Sequence, residues 1–467
     1  MIDAVVIGSG PNGLSAAITL AQAGCKVAVF EANATIGGGV RSAELTLPGF
    51  THDVCSAVHP LGVASPFWNT LPLADYGLEW IVPPVMVAHP FDDGTAAATV
   101  LSLEATAATL GRDGRAYTRI VGDVVRDWPQ ISPAVLGPPA MPEHPLSLAK
   151  FGLRALRSAR HLSMSAFRNE PARALLAGSA AHGMMPLNHA LTAGIGLTLT
   201  ALSHIGGWPI PRGGAQSITN ALVKYLASLG GEVFTGAPVN DIDKLLPSRM
   251  ILCDLSPRPL LRIAGHKFSR GYRRALARYR YGMGVFKVDW ALDAPIPWTA
   301  ETCRRAGTVH LGGTMKEIAA SERDAWEGRI AERPFVLLSQ PTLFDPSRAP
   351  ADKHVAWAYC HVPSGSDVSM LERIEAQVER FAPGFRNRVL ARSITTPRDL
   401  EANNANFVGG DIGAGVASLR QFFTRPTWRT YSTPAKGLYL CSASTPPGVG
   451  VHGMCGYWAA KLALSRA

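Results

Sequence analysis

The chain has 467 residues and a formal net charge of +10, from 45 Lys and Arg against 35 Asp and Glu. Hydrophobic residues make up 47% of it, which is enough for a sizeable core, so wholesale disorder is excluded. Only 17% of the residues are charged, below the ~25% usual for soluble domains, which indicates large buried or apolar-lined surfaces.

The first forty residues predict a βαβ unit with a dinucleotide-binding loop. An apolar run over 4–7 is typical of a buried parallel strand. The turn Gly8-Ser9-Gly10-Pro11-Asn12-Gly13 follows, then a helix over 14–23 and a second strand over 26–30. Gly8 permits the tight turn, Gly10 lets the backbone approach a pyrophosphate, and Gly13 allows close packing of the helix. The helix N-terminus then offers unpaired N–H groups to the phosphates.

Two features after the second strand identify the expected dinucleotide. Glu31 closes that strand, where a carboxylate can accept hydrogen bonds from a ribose diol, and its charge disfavours the 2′-phosphate of NADP. The cluster Gly37-Gly38-Gly39 is followed by Arg41, whose guanidinium can bind a diphosphate through two parallel hydrogen bonds. Because an NAD-binding unit does not need this second cluster, the predicted cofactor is FAD.

Residues 90–205 are predicted to be mostly helical, with proline-rich breaks between 138 and 145. One predicted helix, 148–162, is amphipathic. Its basic face carries Lys150, Arg154, Arg157, Arg160 and His161. This face could lie on an anionic membrane or be the solvated side of an ordinary surface helix, and both interpretations stay open.

The middle of the chain returns to strands. A turn at 211–214 precedes a helix over 218–229 and strands over 232–235 and 250–254. Residues 265–430 mix short apolar or alternating stretches with a helix near 368–381, which predicts a second domain with a largely antiparallel sheet. Arg212, in the turn, either binds a substrate or cofactor group or is a surface arginine.

The C-terminal segment repeats the pattern of strand, glycine-rich turn and helix. A buried strand over 437–441 leads into the turn 446–453 and a helix over 454–464. The turn contains Gly-Val-Gly-Val-His-Gly, but no βαβ unit follows it, so a second dinucleotide site is not expected. We interpret the turn as a helix N-terminus aimed at the flavin ring, where it would stabilise negative charge at N1 and the C2 carbonyl.

Together these motifs resemble the phytoene desaturase-like (carotenoid desaturase-related) FAD-dependent oxidoreductases, within the amine oxidase and GDI-like flavoprotein superfamily. The resemblance covers nearly the whole chain in order. The matching positions are 8–13, Glu31, 37–42, 50–53, 58–60, 211–214, Val239 and 441–457.

The resemblance implies an α/β fold, in which a Rossmann-like FAD-binding domain of the GR2 type carries an inserted α+β substrate domain. The FAD-binding domain would be discontinuous, built from 1–80, 208–265 and 430–467. The substrate domain would consist of 81–207, a helical region, and 266–429, which holds the antiparallel sheet.

The resemblance also assigns cofactor contacts. Gly8, Gly10, Gly13, Gly38, Gly39 and Arg41 would hold the diphosphate, with Glu31 at the adenosine ribose and Val239 at the adenine. The backbone from His452 through Gly453 to Met454 would face the pyrimidine edge of the flavin. Pro11, Asn12 and Gly450 are further expected cofactor contacts. Relatives often carry Gly-Asp where this chain has Ser442-Ala443, so a ribityl contact is expected from the backbone, Ser442 or Ser444.

The function that the resemblance implies is desaturation of an apolar or amphipathic organic substrate by hydride transfer to flavin N5. Alternatives are a redox-neutral, flavin-dependent double-bond isomerase and a GDI-like, non-catalytic lipid-binding protein. No second NAD(P)H site is visible, so the expected electron acceptor is oxygen, a quinone or another oxidant. His59 and His452 are candidates for proton transfer or are buried structural histidines, and Cys455 is a candidate covalent flavin anchor. No metal site is expected.

Seven scattered cysteines without a CxxC pair indicate a reducing compartment. No secretory signal is evident, and the apolar stretch 191–202 is too short for a membrane span, so a cytoplasmic location is expected, with peripheral membrane contact left open. Arginines and tyrosines alternate over 267–281, but a nucleic-acid partner is not expected in a flavoprotein of this layout. The sequence does not indicate the substrate's identity or the oligomeric state.

Overall fold

The computed structural model describes residues 2–467, which form sixteen strands and sixteen α-helices. The strands in chain order are β1 Ala4–Ile7, β2 Val27–Phe30, β3 Ser42–Glu44, β4 Thr51–Asp53, β5 Trp80–Ile81, β6 Val85–Pro90, β7 Ala96–Thr99, β8 Ile210–Pro211, β9 Glu232–Phe234, β10 Met250–Cys253, β11 Gly284–Leu292, β12 Ala306–Leu311, β13 Val336–Ser339, β14 His354–Val362, β15 Val389–Thr395 and β16 Leu438–Leu440. The helices are α1 Pro11–Gln22, α2 Pro60–Val63, α3 Leu103–Thr109, α4 Gly114–Val135, α5 Pro145–Ala155, α6 Ala159–Ala166, α7 Glu170–Ala181, α8 Thr192–Ile205, α9 Gln216–Ser228, α10 Pro257–Ala264, α11 Arg270–Ala277, α12 Met315–Trp326, α13 Leu371–Phe381, α14 Pro397–Asn403, α15 Leu419–Phe423 and α16 Met454–Leu464.

A five-stranded parallel sheet forms the first half of the fold, in the order β16-β10-β1-β2-β9. The side chains of β1 are buried on both faces of the sheet, as its continuous apolar run predicts. The strands come from three separate parts of the chain, which are the parts expected to form the FAD-binding domain. The Rossmann-like α/β architecture is therefore confirmed, while the domain boundaries stay a prediction.

Glycines allow α1 and α16 to pack closely on this sheet. A Cβ on Gly456 would collide with the carbonyl of Asn12, and a Cβ on Gly453 would collide with Ser15 and Trp68. Trp68 in turn donates from its indole N–H to the Ser15 hydroxyl at 2.9 Å. The close contact of the two helices brings the N-terminal glycine turn and the C-terminal glycine turn to the same end of the sheet.

A seven-stranded sheet forms the second half, in the order β15-β11-β14-β13-β12-β6-β7. It is antiparallel as predicted, except where β12 pairs with β6 in parallel. The sequence interpretation of 81–207 as a helical region missed β6 and β7. The run 85–90 is buried along its whole length, and periodicity alone does not distinguish such a short run from a buried helix.

The predicted amphipathic helix over 148–162 was wrong as a single element. The structure ends α5 at Ala155 and begins α6 at Ala159. Ser158 breaks the run because its hydroxyl accepts a hydrogen bond from the backbone N–H of His161, as an N-cap residue does. The basic residues of the predicted face are consequently divided between two short helices and the turn that joins them.

Among residues 2–467, no helix combines the length and the apolar content that a membrane span requires.

A buried carboxylate joins the two halves. Asp53 accepts hydrogen bonds from the Ser42 hydroxyl at 2.8 Å, the Ala215 backbone N–H at 2.6 Å and the Arg348 guanidinium at 2.8 Å. Arg348 also donates from Nε to the carbonyl of Thr51. Burial alone would raise the pKa of Asp53, but Arg348 and the other donors outweigh it and hold the pKa below the usual 3.8.

We predict that Asp53→Asn lowers the free energy of unfolding by about 3 kcal/mol, because it leaves the Arg348 charge buried without a counter-ion. Denaturant titration of both proteins measures the difference. Since the pKa of Asp53 is lowered on folding, the difference should be present at neutral pH and shrink as the pH falls below 3.8. Glu332→Gln, which breaks the exposed pair with Arg373, is the control and should change stability little. Equal stability of Asp53→Asn and wild type would contradict the prediction.

Candidate functional site

One large cavity of about 1160 Å³ joins the two halves of the fold. At one end it reaches Gly8, Gly10 and Glu31 of the dinucleotide loop, and at the other it reaches Lys287 of β11 and Tyr359 of β14. Pockets for one small ligand usually occupy about 300–1,000 Å³, so this cavity has room for more than a single small molecule.

The cavity brings together most of the predicted cofactor residues. Its wall includes Gly8, Gly10, Pro11, Asn12, Glu31, Gly38, Gly39, Val239, Ser442, Ala443, Gly450 and His452. Four predicted residues do not line it, namely Gly13, Arg41, Gly453 and Met454. Gly13 is buried in the first turn of α1. The guanidinium Nε of Arg41 is also buried and has no hydrogen-bond partner.

The glycine loops form a cradle that side chains would fill. Gly8 and Gly38 have positive φ angles of +99° and +59°, a region that favours glycine. A Cβ on Gly38 would lie 3.2 Å from the Cα of Gly10, and a Cβ on Gly10 would lie 2.8 Å from the Asp254 carboxylate. Backbone therefore faces the cavity here without side chains, which fits a bound dinucleotide.

Glu31 is already fully hydrogen-bonded by the protein. One carboxylate oxygen accepts from the backbone N–H and the hydroxyl of Ser9, at 3.0 and 2.7 Å. The other accepts from the backbone and side-chain amides of Asn33, at 2.9 and 3.1 Å. A ribose hydroxyl that binds to Glu31 would thus replace one of these partners, and the half-buried Asn33 side chain is the more readily displaced, because the Ser9 hydroxyl also accepts the backbone N–H of Gly37.

Asp254 is a residue of this site that the sequence interpretation missed. It follows β10 and accepts a hydrogen bond from the backbone N–H of Gly13 at 3.0 Å. Burial raises its pKa to about 7; the hydrogen bond from Gly13 lowers the pKa, and the charge of Glu31 adds to the increase. The available signal was its position at the carboxyl end of a parallel strand, where open α/β sheets bind their ligands.

His452 caps the C-terminal helix. Its Nδ1 accepts the backbone N–H of Met454 at 3.0 Å, and its carbonyl accepts the hydroxyl of Ser65 at 2.7 Å. Burial lowers the pKa of His452 to about 4, so the ring is neutral near pH 7. The Met454 amide, which was expected to face a flavin, therefore has a partner within the protein, whereas Gly450 and His452 line the cavity.

Arg425 holds the turn that contains Ser442 and Ala443. Its guanidinium is buried and donates to the carbonyls of Ala443 at 3.1 Å and Gly413 at 3.1 Å. The Ser442 hydroxyl donates to the carbonyl of Leu255. No sequence motif marks Arg425, because its partners are all backbone carbonyls, those of Ala443 and of residues 413–415.

The remaining candidate residues, His59, Cys455 and Arg212, lie in different surroundings. His59 is buried at the cavity wall, its Nε2 has no hydrogen-bond partner, and burial lowers its pKa to about 4. The Cys455 thiol contacts the carbonyls of Thr445 and Gly448 and does not line the cavity, which argues against a covalent flavin link. Arg212 pairs with an exposed glutamate at the surface, in agreement with the simpler of its two interpretations.

The far wall carries polar groups that the sequence interpretation did not select. Lys287 of β11 is buried and paired with Asp289, which also lies 3.6 Å from the ring of His52. Burial raises the pKa of Asp289 to about 6, although Lys287 opposes this shift. His182 and Tyr359 line the same part of the cavity. Their neighbours come from distant parts of the chain, so no local motif marks them.

Comparisons with known proteins agree with this geometry. Residues 6–71 match the family described as an NAD(P)-binding Rossmann-like domain. The chain is 27% identical to the pyridine nucleotide-disulfide oxidoreductase domain-containing protein 2 of Rattus norvegicus, over 98% of this chain and 93% of that protein. It is 26% identical to the neurosporene-forming phytoene desaturase of Rhodobacter capsulatus, over 52% of this chain and 51% of the desaturase. Putrescine oxidase, solved with putrescine bound, has a TM-score of 0.63 at 17% identity, over 99% of this chain and 98% of the oxidase.

These similarities confirm the resemblance drawn from the motifs, to carotenoid desaturases in sequence and to the amine oxidase flavoproteins in fold. They show a Rossmann-like dinucleotide-binding unit near the N-terminus and, over nearly the whole chain, a fold shared with the amine oxidase flavoproteins.

We predict that FAD binding weakens as the pH rises through about 7, because Asp254 ionises there beside the site of an anionic diphosphate. A raised carboxyl pKa means that the neutral form dominates at lower pH, where repulsion is absent. Fluorescence titration of the apoprotein with FAD at pH 6 and 8.5 should show a change on the order of tenfold.

Asp254→Asn keeps the size of the side chain and an acceptor for Gly13 but cannot ionise, so its FAD affinity should be nearly the same at both pH values. Asp241→Asn, at an acid that does not line the cavity, should keep the wild-type pH dependence. A wild-type affinity that does not change with pH would contradict the role of Asp254.

Proposed function

We propose that this protein is an FAD-dependent oxidoreductase that desaturates an apolar or amphipathic organic substrate by hydride transfer to the flavin. The observation that carries the proposal is the single continuous cavity, which connects the glycine cradle with a wall of apolar side chains. The expected electron acceptor for reoxidation is oxygen or a quinone.

The residues of the cradle fit FAD. Gly8, Gly10, Gly38 and Gly39 would hold the diphosphate by backbone contact, and Glu31 would bind the adenosine ribose after exchange of one of its present partners. Val239 would lie at the adenine, and the Gly450–His452 turn at the pyrimidine edge. When bound there, FAD supplies the hydride acceptor, which no amino-acid side chain can provide.

Apolar side chains dominate the rest of the cavity wall. They include Val58, Leu61, Met184, Ile195, Leu199, Val285, Leu400 and Ile412. Such a wall excludes water from the reacting carbon and favours an apolar substrate by roughly 25 cal/mol for each Å² of apolar surface that it covers.

His59 is the better placed of the two histidine candidates for accepting a proton. Its Nε2 has no partner, and the ring is neutral near pH 7 because burial lowers its pKa to about 4. His452 already uses Nδ1 to cap α16. We assign His59 Nε2 the role of the base where the reaction removes a proton together with the hydride.

The decisive experiment is anaerobic mixing of the purified protein with polyenes, prenyl lipids and amines, followed by flavin absorbance. We expect bleaching by an apolar or amphipathic member of the panel. If only dithionite bleaches the flavin, and the reduced protein shifts a double bond in a panel substrate, the function is isomerisation instead. A protein that takes up no FAD even when FAD is added would contradict both enzymatic functions and favour a lipid-binding role.

Two glycine variants test the cradle in the same protein. Gly38→Ala should weaken FAD binding by roughly tenfold or more, because its Cβ would enter the cradle 3.2 Å from Gly10. Gly24→Ala has a similarly unfavourable φ of +82° but open space around it, so its Cβ adds backbone strain alone. FAD titration should therefore separate the two variants, and equal affinities would contradict the placement of FAD.

Exposed apolar side chains lie beside the cavity and indicate a surface at which the protein contacts a membrane or another protein. Met141, Leu146, Leu153 and Leu156 expose 93%, 86%, 77% and 50% of their surface, and we call these four residues the entrance patch. Met141 and Leu156 also line the cavity. Apolar groups clustered at the mouth of a cavity are typical of contact with a membrane or another protein.

Basic residues next to the entrance patch favour an anionic bilayer. Among residues 2–467, neither Arg157 nor Arg160 has an acidic side chain within salt-bridge distance, whereas Lys150 and Arg154 share Asp123. We propose that the entrance patch docks on an anionic lipid surface, with the two arginines that lack an acidic partner at the headgroups and the cavity open to apolar substrate from the bilayer.

Vesicles of phosphatidylglycerol and phosphatidylcholine test this docking by co-sedimentation. We expect the double variant Leu146→Ser with Leu153→Ser to lower vesicle binding several-fold. The double variant Arg157→Gln with Arg160→Gln should also lower vesicle binding several-fold, and this second effect should disappear in high salt. Matched controls are Leu246→Ser with Leu390→Ser, which are exposed apolar residues elsewhere, and Arg273→Gln with Arg274→Gln on α11. Losses as large in the controls would contradict a specific lipid surface at the entrance patch.

A further inference from the structure

Two histidines from different segments, the half-buried His182 and the buried His310, meet at the far wall of the cavity. His182 follows α7 and lines the cavity, and His310 lies in β12. Their Nε2 atoms are 3.1 Å apart, which is a hydrogen-bond distance. Trp208 packs edge-on against His182 with ring centroids 5.3 Å apart and limits the ring's movement.

Both rings are neutral near pH 7. Burial lowers the pKa of His182 to about 3, with a smaller contribution from His361, and burial holds the pKa of His310 well below the usual 6.5. A neutral imidazole has one N–H and one lone pair. One of the two Nε2 atoms therefore donates the shared proton, and the other accepts it.

The surroundings of His310 Nδ1 determine the direction of this hydrogen bond. That atom is buried without a hydrogen-bond partner, and a Cβ on Gly178 would lie 2.6 Å from it. The Gly178 C–H bond in that direction is a weak donor, which suits a lone pair on Nδ1 and would oppose an N–H there. Buried N–H groups without an acceptor are also rarer than unpaired acceptors. His310 thus carries its proton on Nε2 and donates it to His182.

We propose that His182 presents an Nδ1–H donor to the cavity, and that this donor selects substrates with a neutral carbonyl oxygen on an apolar body. His182 accepts at Nε2, so its proton is on Nδ1, the ring nitrogen left for a ligand. His310 is a positioning residue that fixes this tautomer. The inference rests on the proposed function, since it specifies the substrate class for the same cavity.

The environment of His182 favours a neutral partner. Met184, Ile195 and Leu199 form the neighbouring apolar wall, where a hydrogen bond is stronger than in water. A carboxylate at this position would bring an unpaired charge into the cavity, because Lys287 is already paired with Asp289. A ketone, ester or aldehyde oxygen needs only the single donor.

The test compares binding of the ketone nonan-2-one and the alkane nonane to the holoprotein by titration calorimetry. We expect His182→Phe to reduce the preference for the ketone about three- to tenfold, the range for loss of one hydrogen bond. His182→Asn should retain most of the preference, because its amide nitrogen lies near the position of Nδ1.

A second pair of variants tests the positioning role of His310. His310→Gln keeps a donor near the position of Nε2 and should keep the ketone preference, whereas His310→Phe removes the donor and should lose it. His189→Phe is the control, because His189 packs edge-on against Trp326 and does not line the cavity. Its ketone preference should equal that of the wild type.

The infrared carbonyl stretch of the bound ketone gives a readout that a purely structural role would not move. The frequency of this stretch should be lowered for the ketone bound to the wild type and to His182→Asn. For the ketone bound to His182→Phe it should return towards its value in an apolar solvent. The same carbonyl band and the same ketone preference in wild type and His182→Phe would overturn the proposal. Ketone binding without flavin bleaching by any substrate would instead contradict the proposed function alone.

Discussion

The buried ion pair between Asp53 and Arg348 holds the two halves of this protein together, and the cavity lies between those halves. The same carboxylate also binds Ser42 and the first amide before α9, so one charge connects three segments that are distant in sequence. Because breaking a buried pair leaves an uncompensated charge, the arrangement tolerates little relative movement.

Three polar side chains around the glycine cradle already have partners within the protein. Glu31 is bonded by Ser9 and Asn33, Asp254 holds the amide of Gly13, and a histidine side chain caps the C-terminal helix. These bonds keep the loops in shape, which reduces the ordering cost when a dinucleotide binds. A ligand must exchange some of them, so the affinity for FAD depends on which partners give way and on the charge of Asp254.

The substrate end of the cavity combines an apolar wall with charges that are compensated locally. Lys287 is neutralised by Asp289, and His182 is kept neutral by burial. The low share of charged residues in the chain therefore has a structural counterpart in a large cavity whose wall consists mostly of apolar side chains. Such a cavity discriminates by shape and by single neutral hydrogen bonds more than by charge.

The sequence by itself determined the βαβ unit, the glycine cradle and the terminal helix Met454–Leu464, because each depends on residues that are neighbours along the chain. It did not reveal β6 and β7, since a short buried run looks alike as strand or helix. Nor did it reveal Asp254 or the pair of His182 and His310, whose rings meet across 128 residues. Only the tertiary structure decided those contacts, because the hydrogen bonds and burial that define them arise when distant segments pack together.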